Sequence, residues 1–389
     1  MFKRLLYISP RDMRKNRSDA VHIMNSCSGF SQLGINVDLI TPKVERENYQ
    51  IEYSEIFNLY NIKPNFNIIE LPTKFKEDGA NKDSNLKFGL QKFKESAKFA
   101  FKNRNPFKYD IVYSKCFISS VPILILKKLG IIKTTFIFEA PYLKNSFLHN
   151  FIVNNSDYIV VGSSYLESKL KSDIKLKNKI IKTPRRYYFN ENDQSFDKMK
   201  LREKFGFLKD YKYILYAGKV AKNSNEINHI IYAAKKLPEF KFVLVGVNKE
   251  TRAFYESFGI TNLILFPFQT IENYEDIIRA ADVLVGYYTD NEYNRYYLGP
   301  GKTSSYFKSK NPVIYSDLPS LRDRYTDEMV YFLKPDEPDL LVDKIKFIVN
   351  SPKLNEKKTA LAYDHIVENT YAMSKTKILE EIQRREQEK

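Results

Sequence analysis

Two cysteines and four histidines are all that 389 residues offer to thiol or imidazole chemistry. Cys27 and Cys116 are too few for a disulfide framework and lack metal-binding spacing, so both are expected to be buried packing residues. His22 and His149 lie inside helical patterns, where packing is the expected role, and His229 and His365 share no ligand spacing with them. No apolar run approaches the roughly 18 residues of a membrane span, and the opening MFKRLLYISP carries no cleavage signal. A cytoplasmic chain is the expectation. Neither half has a GxGxxG fingerprint, which argues against a dinucleotide enzyme. Gly301-Lys302-Thr303 suggests a nucleotide-triphosphate P-loop, but that loop needs a glycine where Tyr296 stands.

Positive charge, by contrast, is abundant. The formal net charge of +16 predicts attraction to something anionic, whether nucleic acid, a phospholipid surface or a phosphorylated substrate. Residues 74–108 hold ten Lys/Arg against four Asp/Glu, interleaved with phenylalanine. Leu90, Phe93, Ala97, Ala100 and Phe101 fall at helical spacing, with Lys87, Lys92, Lys94, Lys98 and Lys102 mostly off that stripe. Such a basic amphipathic helix can rest on an anionic membrane surface; ordinary core contact with a solvated lysine face is the competing reading.

The length predicts two domains, and 43% hydrophobic residues suffice for two cores. Strands are predicted at 3–9, 35–41, 66–71, 110–113, 134–138 and 158–161, with helices at 19–33 and 119–129 between them. A polar linker is read at 190–200. A second alternation follows, with strands at 213–217, 240–245, 263–266, 281–286 and 312–315, and helices at 226–237 and 250–258. Residues 336–350 and 357–389 are helical by pattern, with a frayed tail from 383. Such alternation predicts doubly wound parallel sheets, whose ligands bind beyond the C-terminal strand ends. The loop after the first strand, with Arg11, Arg14, Lys15 and Arg17, therefore lies where an acceptor phosphate could be held, and Lys219 directly follows a strand-ending glycine.

The most informative stretch is 287–317, YYTDNEYNRYYLGPGKTSSYFKSKNPVIYSD. After a buried strand and an aromatic-rich loop it tightens at Gly299-Pro300-Gly301, and a helix is predicted from Lys302 to about 309. Glycines that admit a ligand, a lysine and the unpaired amides of a helix start make a phosphate site. The competing reading is a Gly-Pro-Gly turn with a solvated lysine.

Pro300, Lys302, Tyr306, Pro312, Val313, Ile314, Ser316 and Asp317 occur in the order of the donor-sugar signature of GT-B-type glycosyltransferases, and the stretch resembles in particular their retaining family 4. The family's glutamate falls on Ser305. SDAVHIMNSCSGFSQLGINVDLI, DIVYSKCFISS and TTFIFEAPY resemble its N-terminal domain, with Lys115 at the usual arginine and Pro141 where a histidine is frequent. YILYAGKVAKNSNE resembles its donor-domain entry, Lys219 falling on the arginine and Lys222 standing approximately for the lysine; LFPFQ resembles the loop that holds the nucleotide base.

The resemblance implies a GT-B fold, two Rossmann-like domains facing each other across a cleft: 1–195 for the acceptor, 196–355 for the nucleotide sugar, and 356–389 returning as a helix. It implies a nucleotide diphosphate sugar as donor, with UDP favoured, retention of configuration, and no bound metal; no Asp-x-Asp triplet occurs in the chain. Glu139, Lys219 and Lys302 are the candidate catalytic residues. Lys222, Phe268, Gln269, Asn294, Tyr297, Pro300, Gly301, Thr303, Ser304 and Ser305 are the candidate donor contacts, and Arg11, Arg14, Lys15, Arg17 and Lys115 the acceptor contacts. The acceptor is expected to be a glycan or lipid-linked, as in surface polysaccharide synthesis, with no nucleic acid partner. A catalytically degenerate scaffold subunit, a nucleic-acid-binding protein and a sugar-nucleotide epimerase are the alternatives.

Overall fold

The computed structural model describes residues 2–14, 18–43, 52–72, 86–105, 107–142, 146–173, 175–183, 186–189 and 195–388. The chain divides into two compact units, Met1–Arg185 with Tyr371–Lys389, and Arg186–Thr370.

The first unit runs β1 (Arg4–Ile8), α1 (Ser18–Ser31), β2 (Asn36–Lys43), α2 (Tyr53–Leu59), β3 (Asn67–Pro72), α3 (Leu86–Lys102), β4 (Ile111–Ser114), α4 (Phe117–Lys128), β5 (Thr135–Ala140), α5 (Phe147–Asn155), β6 (Tyr158–Val161), α6 (Ser164–Lys171) and β7 (Ile180–Lys182). Among the described residues its seven strands pair in parallel in the order β3-β2-β1-β4-β5-β6-β7. The order reverses beside β1, so the C-terminal ends of β1 and β4 flank the crevice where doubly wound sheets bind ligands. Alternate residues, Leu5, Tyr7, Leu39, Ile111, Tyr113 and Ile137, pack against Ile23, Met24, Cys27 and Phe30 of α1. Local chemistry sets the helix starts: Ser146 caps α5 and Ser163 caps α6, each accepting the amide three residues on.

The second unit runs α7 (Lys198–Lys204), β8 (Tyr213–Ala217), α8 (Asn225–Lys236), β9 (Lys241–Val247), α9 (Lys249–Glu256), β10 (Leu263–Pro267), α10 (Ile271–Ala280), β11 (Val283–Gly286), α11 (Glu292–Tyr296), α12 (Thr303–Lys308), β12 (Val313–Ser316), α13 (Pro319–Arg322), β13 (Tyr331–Leu333), α14 (Pro338–Val349) and α15 (Pro352–Val367). The strands order β10-β9-β8-β11-β12-β13, all parallel, again reversing at the first strand of the unit. Cores lie on both faces of this sheet, since successive residues of β8 divide between them: Tyr213, Leu215 and Ala217 to one, Ile214 and Tyr216 to the other. A parallel bridge from Tyr187 to Thr370 ties the unit's entry to its exit. The last helix, α16 (Tyr371–Gln387), belongs to the first unit, where Ile378 and Ile382 join the core beside α1.

Several expectations need correction. The linker read at 190–200 ends earlier, because the Asp197 carboxylate caps the amides of Met199 and Lys200 and starts α7; residues 190–194 lie outside the described residues. The helical region 357–389 is two helices, broken at residues 368–370, and α16 runs past 383, its last turns held by ion pairs of Arg384 and Arg385 with Glu381. The loop after β11 contains the short α11, capped by Asn291. On α3, Leu90, Phe93 and Phe101 are exposed, and the buried side is Gly89, Ser96 and Ala100.

Candidate functional site

In the second unit the site grows from the C-terminal end of β8. Gly218 leaves the strand with φ +151°, and its carbonyl passes so close beneath Gly246 that a Cβ there would stand 2.1 Å from the oxygen. Only glycine fits at 246, whose own φ is +108°. The open backbone at Gly218 admits the side chain of Lys302: a Cβ on Gly218 would lie 3.2 Å from the lysine Nζ.

Lys302 directly precedes α12. The residue is half-buried overall, but its Nζ is out of contact with solvent and has no hydrogen-bond partner among the described residues. It lies 3.8 Å from the centroid of the Tyr216 ring and 5.5 and 5.7 Å from those of Tyr288 and Tyr306. Aromatic faces attract a cation but cannot replace the water it has lost. Burial accordingly pushes the ammonium down to about 7, with the Glu226 carboxylate pulling the other way. Glu226 itself is held by Ser224 Oγ at 2.5 Å and Thr289 Oγ1 at 3.2 Å. Burial raises its carboxyl, and these hydrogen bonds outweigh that and leave it below the usual range.

The other donor-side candidates divide. Lys219 is exposed at the same strand end. Lys222 is drawn toward α9, with Nζ 2.7 Å from Glu250 and over the Phe254 ring. Thr303 is fully buried and its Oγ1 meets the hydroxyls of Tyr315 and Tyr325 at 2.7 and 2.9 Å, so its side chain belongs to the core. Ser304 Oγ accepts the Tyr188 amide at 3.2 Å, and Ser305 Oγ donates to Glu275 at 3.3 Å. Asn294 is buried and braces the loop, donating to the Thr289 carbonyl at 2.9 Å. Tyr297 lies beside Tyr293, Pro300 is half-buried and Gly301 exposed. Phe268, 69% exposed, and Gln269, whose amide donates to the Pro267 carbonyl at 3.0 Å, follow the end of β10. The helix expected from Lys302 to 309 is the six-residue α12, starting at Thr303.

In the first unit Glu139 is the penultimate residue of β5, with 4% of its surface exposed. It accepts hydrogen bonds from Tyr113 at 2.6 Å and Lys115 at 3.1 Å, and meets His22 Nε2 at 3.1 Å. The His22 Nδ1 stands 2.9 Å from the Tyr371 hydroxyl. His22, expected only to pack, is thus one of Glu139's polar partners. Lys375 is fully buried over the rings of Phe30 and Tyr113. Of the basic loop, Arg11 pairs with Asp19 at 2.7 Å and Arg14 forks onto Glu70, with Nη2 to Oε2 at 2.5 Å. Lys15 and Arg17 lie outside the described residues.

Tyr216, Tyr288, Glu226 and His22 escaped the reading of the sequence. Tyr216 and Tyr288 stand at the ends of two apolar runs far apart in the sequence, and only the pairing of β8 with β11 brings them together. Among the described residues no group of three or more His, Cys, Asp or Glu could hold a metal ion, and no helix is long and apolar enough to cross a membrane.

Solved structures share the whole architecture. Sucrose-phosphate synthase from Thermosynechococcus elongatus is 14% identical, with a TM-score of 0.72 over 98% of this chain and 99% of its own. Anabaena HepE, solved with UDP and glucose, is 11% identical, with a TM-score of 0.69 over 98% of this chain and 99% of that one. UDP-GlcNAc 2-epimerase from Neisseria meningitidis, bound to UDP-GlcNAc, is 15% identical, with a TM-score of 0.62 over 98% and 100%. No protein-family model and no curated protein sequence matches the chain. The fold is therefore GT-B, and identities this low establish the fold alone.

Proposed function

We propose that this chain is a glycosyltransferase that moves a sugar from a nucleoside diphosphate sugar, with UDP the favoured nucleotide, to a glycan or lipid-linked acceptor. The observation that carries the reading is the Lys302 ammonium, buried without a hydrogen-bond partner beside Gly218 at the ligand edge of the second sheet. A desolvated cation at that edge is complementary to a diphosphate. The UDP and glucose bound to HepE, which shares this fold, support a sugar nucleotide over other phosphate ligands for this chain.

In this reading Lys302, Lys219 and the amides of Gly301 to Ser304 hold the diphosphate, and Phe268 and Gln269 the base. Lys222, Asn294, Tyr297 and Pro300 shape the donor loop. The bond from the sugar's anomeric carbon to the diphosphate breaks, that carbon bonds the acceptor hydroxyl oxygen, and the hydroxyl proton leaves with the diphosphate. Lysine charge offsets the negative charge that builds on the leaving group. Glu139 and Lys115 face the acceptor side, with Arg11, Arg14, Lys15 and Arg17 as its phosphate contacts. Configuration is retained without a metal, and the work is done from the cytoplasm, at a membrane face when the acceptor is lipid-linked.

A second reading, a donor-binding relative without turnover, is favoured by Ser305, whose hydroxyl is turned onto Glu275. A thermal-shift panel of UDP, GDP, ADP, CMP and dTDP tests the donor site, since a ligand specific to the folded state raises its melting temperature. A selective shift with UDP, lost in Lys302→Ala, is expected; no shift with any nucleotide would refute the site. Release of UDP from a UDP-sugar with crude acceptor then separates transferase from non-catalytic relative.

A further inference from the structure

Helix α3 is packed with its small side inward. Gly89 approaches α4 so closely that a Cβ would stand 3.0 Å from Ile118 Cδ1, Ser96 Oγ donates to the Ser119 carbonyl at 2.7 Å, and Ala100 is fully buried. That seam turns the large apolar side chains outward: Leu90 is 59% exposed, Phe93 37% and Phe101 57%. At 100° per residue, positions 90, 93, 97 and 101 fall within one arc of about 80°. Lys94, Lys98 and Lys102 are exposed one position further round, bordering that arc on the side away from the seam. Next to it, α4 and its C-cap leave Ile125 and Leu129 exposed, with Lys128 between them in the chain.

We infer that this face of α3 docks on an anionic lipid bilayer, with Leu90, Phe93 and Phe101 entering the boundary between headgroups and acyl chains while Lys94, Lys98 and Lys102 meet lipid phosphates. A large apolar stripe bordered by one sign of charge is complementary to a surface that is apolar below and anionic above. The lysine stems are long enough to keep their ammonium groups at headgroup level while the rings sink. Nucleic acid would reward the lysines but give Leu90 and Leu129 nothing, and the lysine border, in which Lys98 also pairs with Glu95 at 2.9 Å, keeps a net positive charge that repels a second copy of the same face. The inference deepens the membrane part of the proposed function and rests on it only for the acceptor; binding to vesicles is read without donor or turnover.

The chain contains no tryptophan, so Phe101→Trp supplies a single reporter. The full-length protein should float with vesicles of phosphatidylcholine containing about 30 mol% phosphatidylglycerol and not with phosphatidylcholine alone. The fluorescence of the Phe101→Trp protein should shift to the blue on binding. Leu90→Ser/Phe93→Ser/Phe101→Ser replaces exposed side chains and should leave the melting temperature unchanged while the bound fraction falls about tenfold. Lys94→Gln/Lys102→Gln should weaken binding at low salt and flatten its salt dependence. Absence of flotation, binding that survives the triple substitution, or a dimer that the triple substitution dissociates would each overturn the inference. So would equal affinity for a random duplex DNA with no blue shift of the introduced tryptophan. None of these outcomes touches UDP binding at Lys302, so the two readings fail separately.

Discussion

The Nζ of Lys302 stands 3.8 Å from the centroid of the Tyr216 ring, and no described residue accepts a hydrogen bond from it. A desolvated, unpaired ammonium destabilises the unit that holds it, and a cation–π contact offsets only about 2 kcal/mol of that. Lys302→Met keeps the shape and removes the charge. It should hold the stability of the free protein or raise it by about 1 kcal/mol, while UDP affinity falls about tenfold to a hundredfold. Chemical denaturation and calorimetric titration on the same two proteins measure both.

The same lysine gives stability a pH dependence of known sign. Its proton is held less tightly folded, at about 7, than unfolded, near 10.5. Between those values the unfolded chain carries the extra proton, so this residue's contribution to stability rises with pH; below about 7 both states are charged and the penalty is complete. The stability advantage of Lys302→Met should therefore be largest below about pH 7 and vanish toward pH 10.5. A bound diphosphate pulls the other way, favouring the charged form. At about pH 8 UDP binding should take up protons, seen as an apparent enthalpy that changes with the ionisation enthalpy of the buffer, and Lys302→Met should abolish that dependence.

The parallel strands were legible because buried strands are continuous apolar runs, and Tyr158–Val161 and Tyr213–Ala217 fall on the predicted spans. The backbone position of Lys302 was legible from the Gly-Pro-Gly turn before it and the short helix after it. Its surroundings were not: Tyr216 and Tyr288 come from the ends of β8 and β11, and only the pairing of those strands makes them neighbours. Periodicity likewise showed which residues of α3 share a stripe but not which stripe faces the core, since the close approach at Gly89 decides that. His22 and Glu139 lie 117 residues apart, and a histidine in a helical pattern gives no sign of a partner so distant.

Glycine 246 offers a test of how closely the backbone around Lys302 is built. An added Cβ would stand 2.1 Å from the Gly218 carbonyl oxygen at a φ of +108°, so Gly246→Ala must displace Gly218. We expect a loss of about 3 kcal/mol or more and weakened UDP binding, because Gly218 is the backbone against which the lysine ammonium rests. Gly259→Ala is the control: φ is +63° but nothing lies within 4 Å of the new atom. That variant should lose only about 1 kcal/mol, with UDP affinity unchanged. Urea denaturation and nucleotide titration of the two variants separate close approach from backbone strain.

Glu139 tests the first unit independently of any nucleotide. Its carboxylate is buried among the Tyr113 hydroxyl, the Lys115 ammonium and the His22 imidazole, so removing its charge leaves these partners facing a neutral amide. Glu139→Gln should lose about 3 kcal/mol of stability, because a buried charge deprived of its partner keeps its desolvation penalty. Lys115→Met should lose a comparable amount by leaving the carboxylate undercompensated. The double variant removes both charges at once, and its loss should fall short of the sum of the singles by about 1–3 kcal/mol. Urea denaturation of the four proteins closes the cycle, and strict additivity would show that Lys115 and Glu139 are neighbours without being partners. UDP affinity should be the same in all four, since every residue in the cycle belongs to the first unit. A fall in turnover with unchanged UDP affinity would then assign the Glu139 cluster to the acceptor side of the reaction.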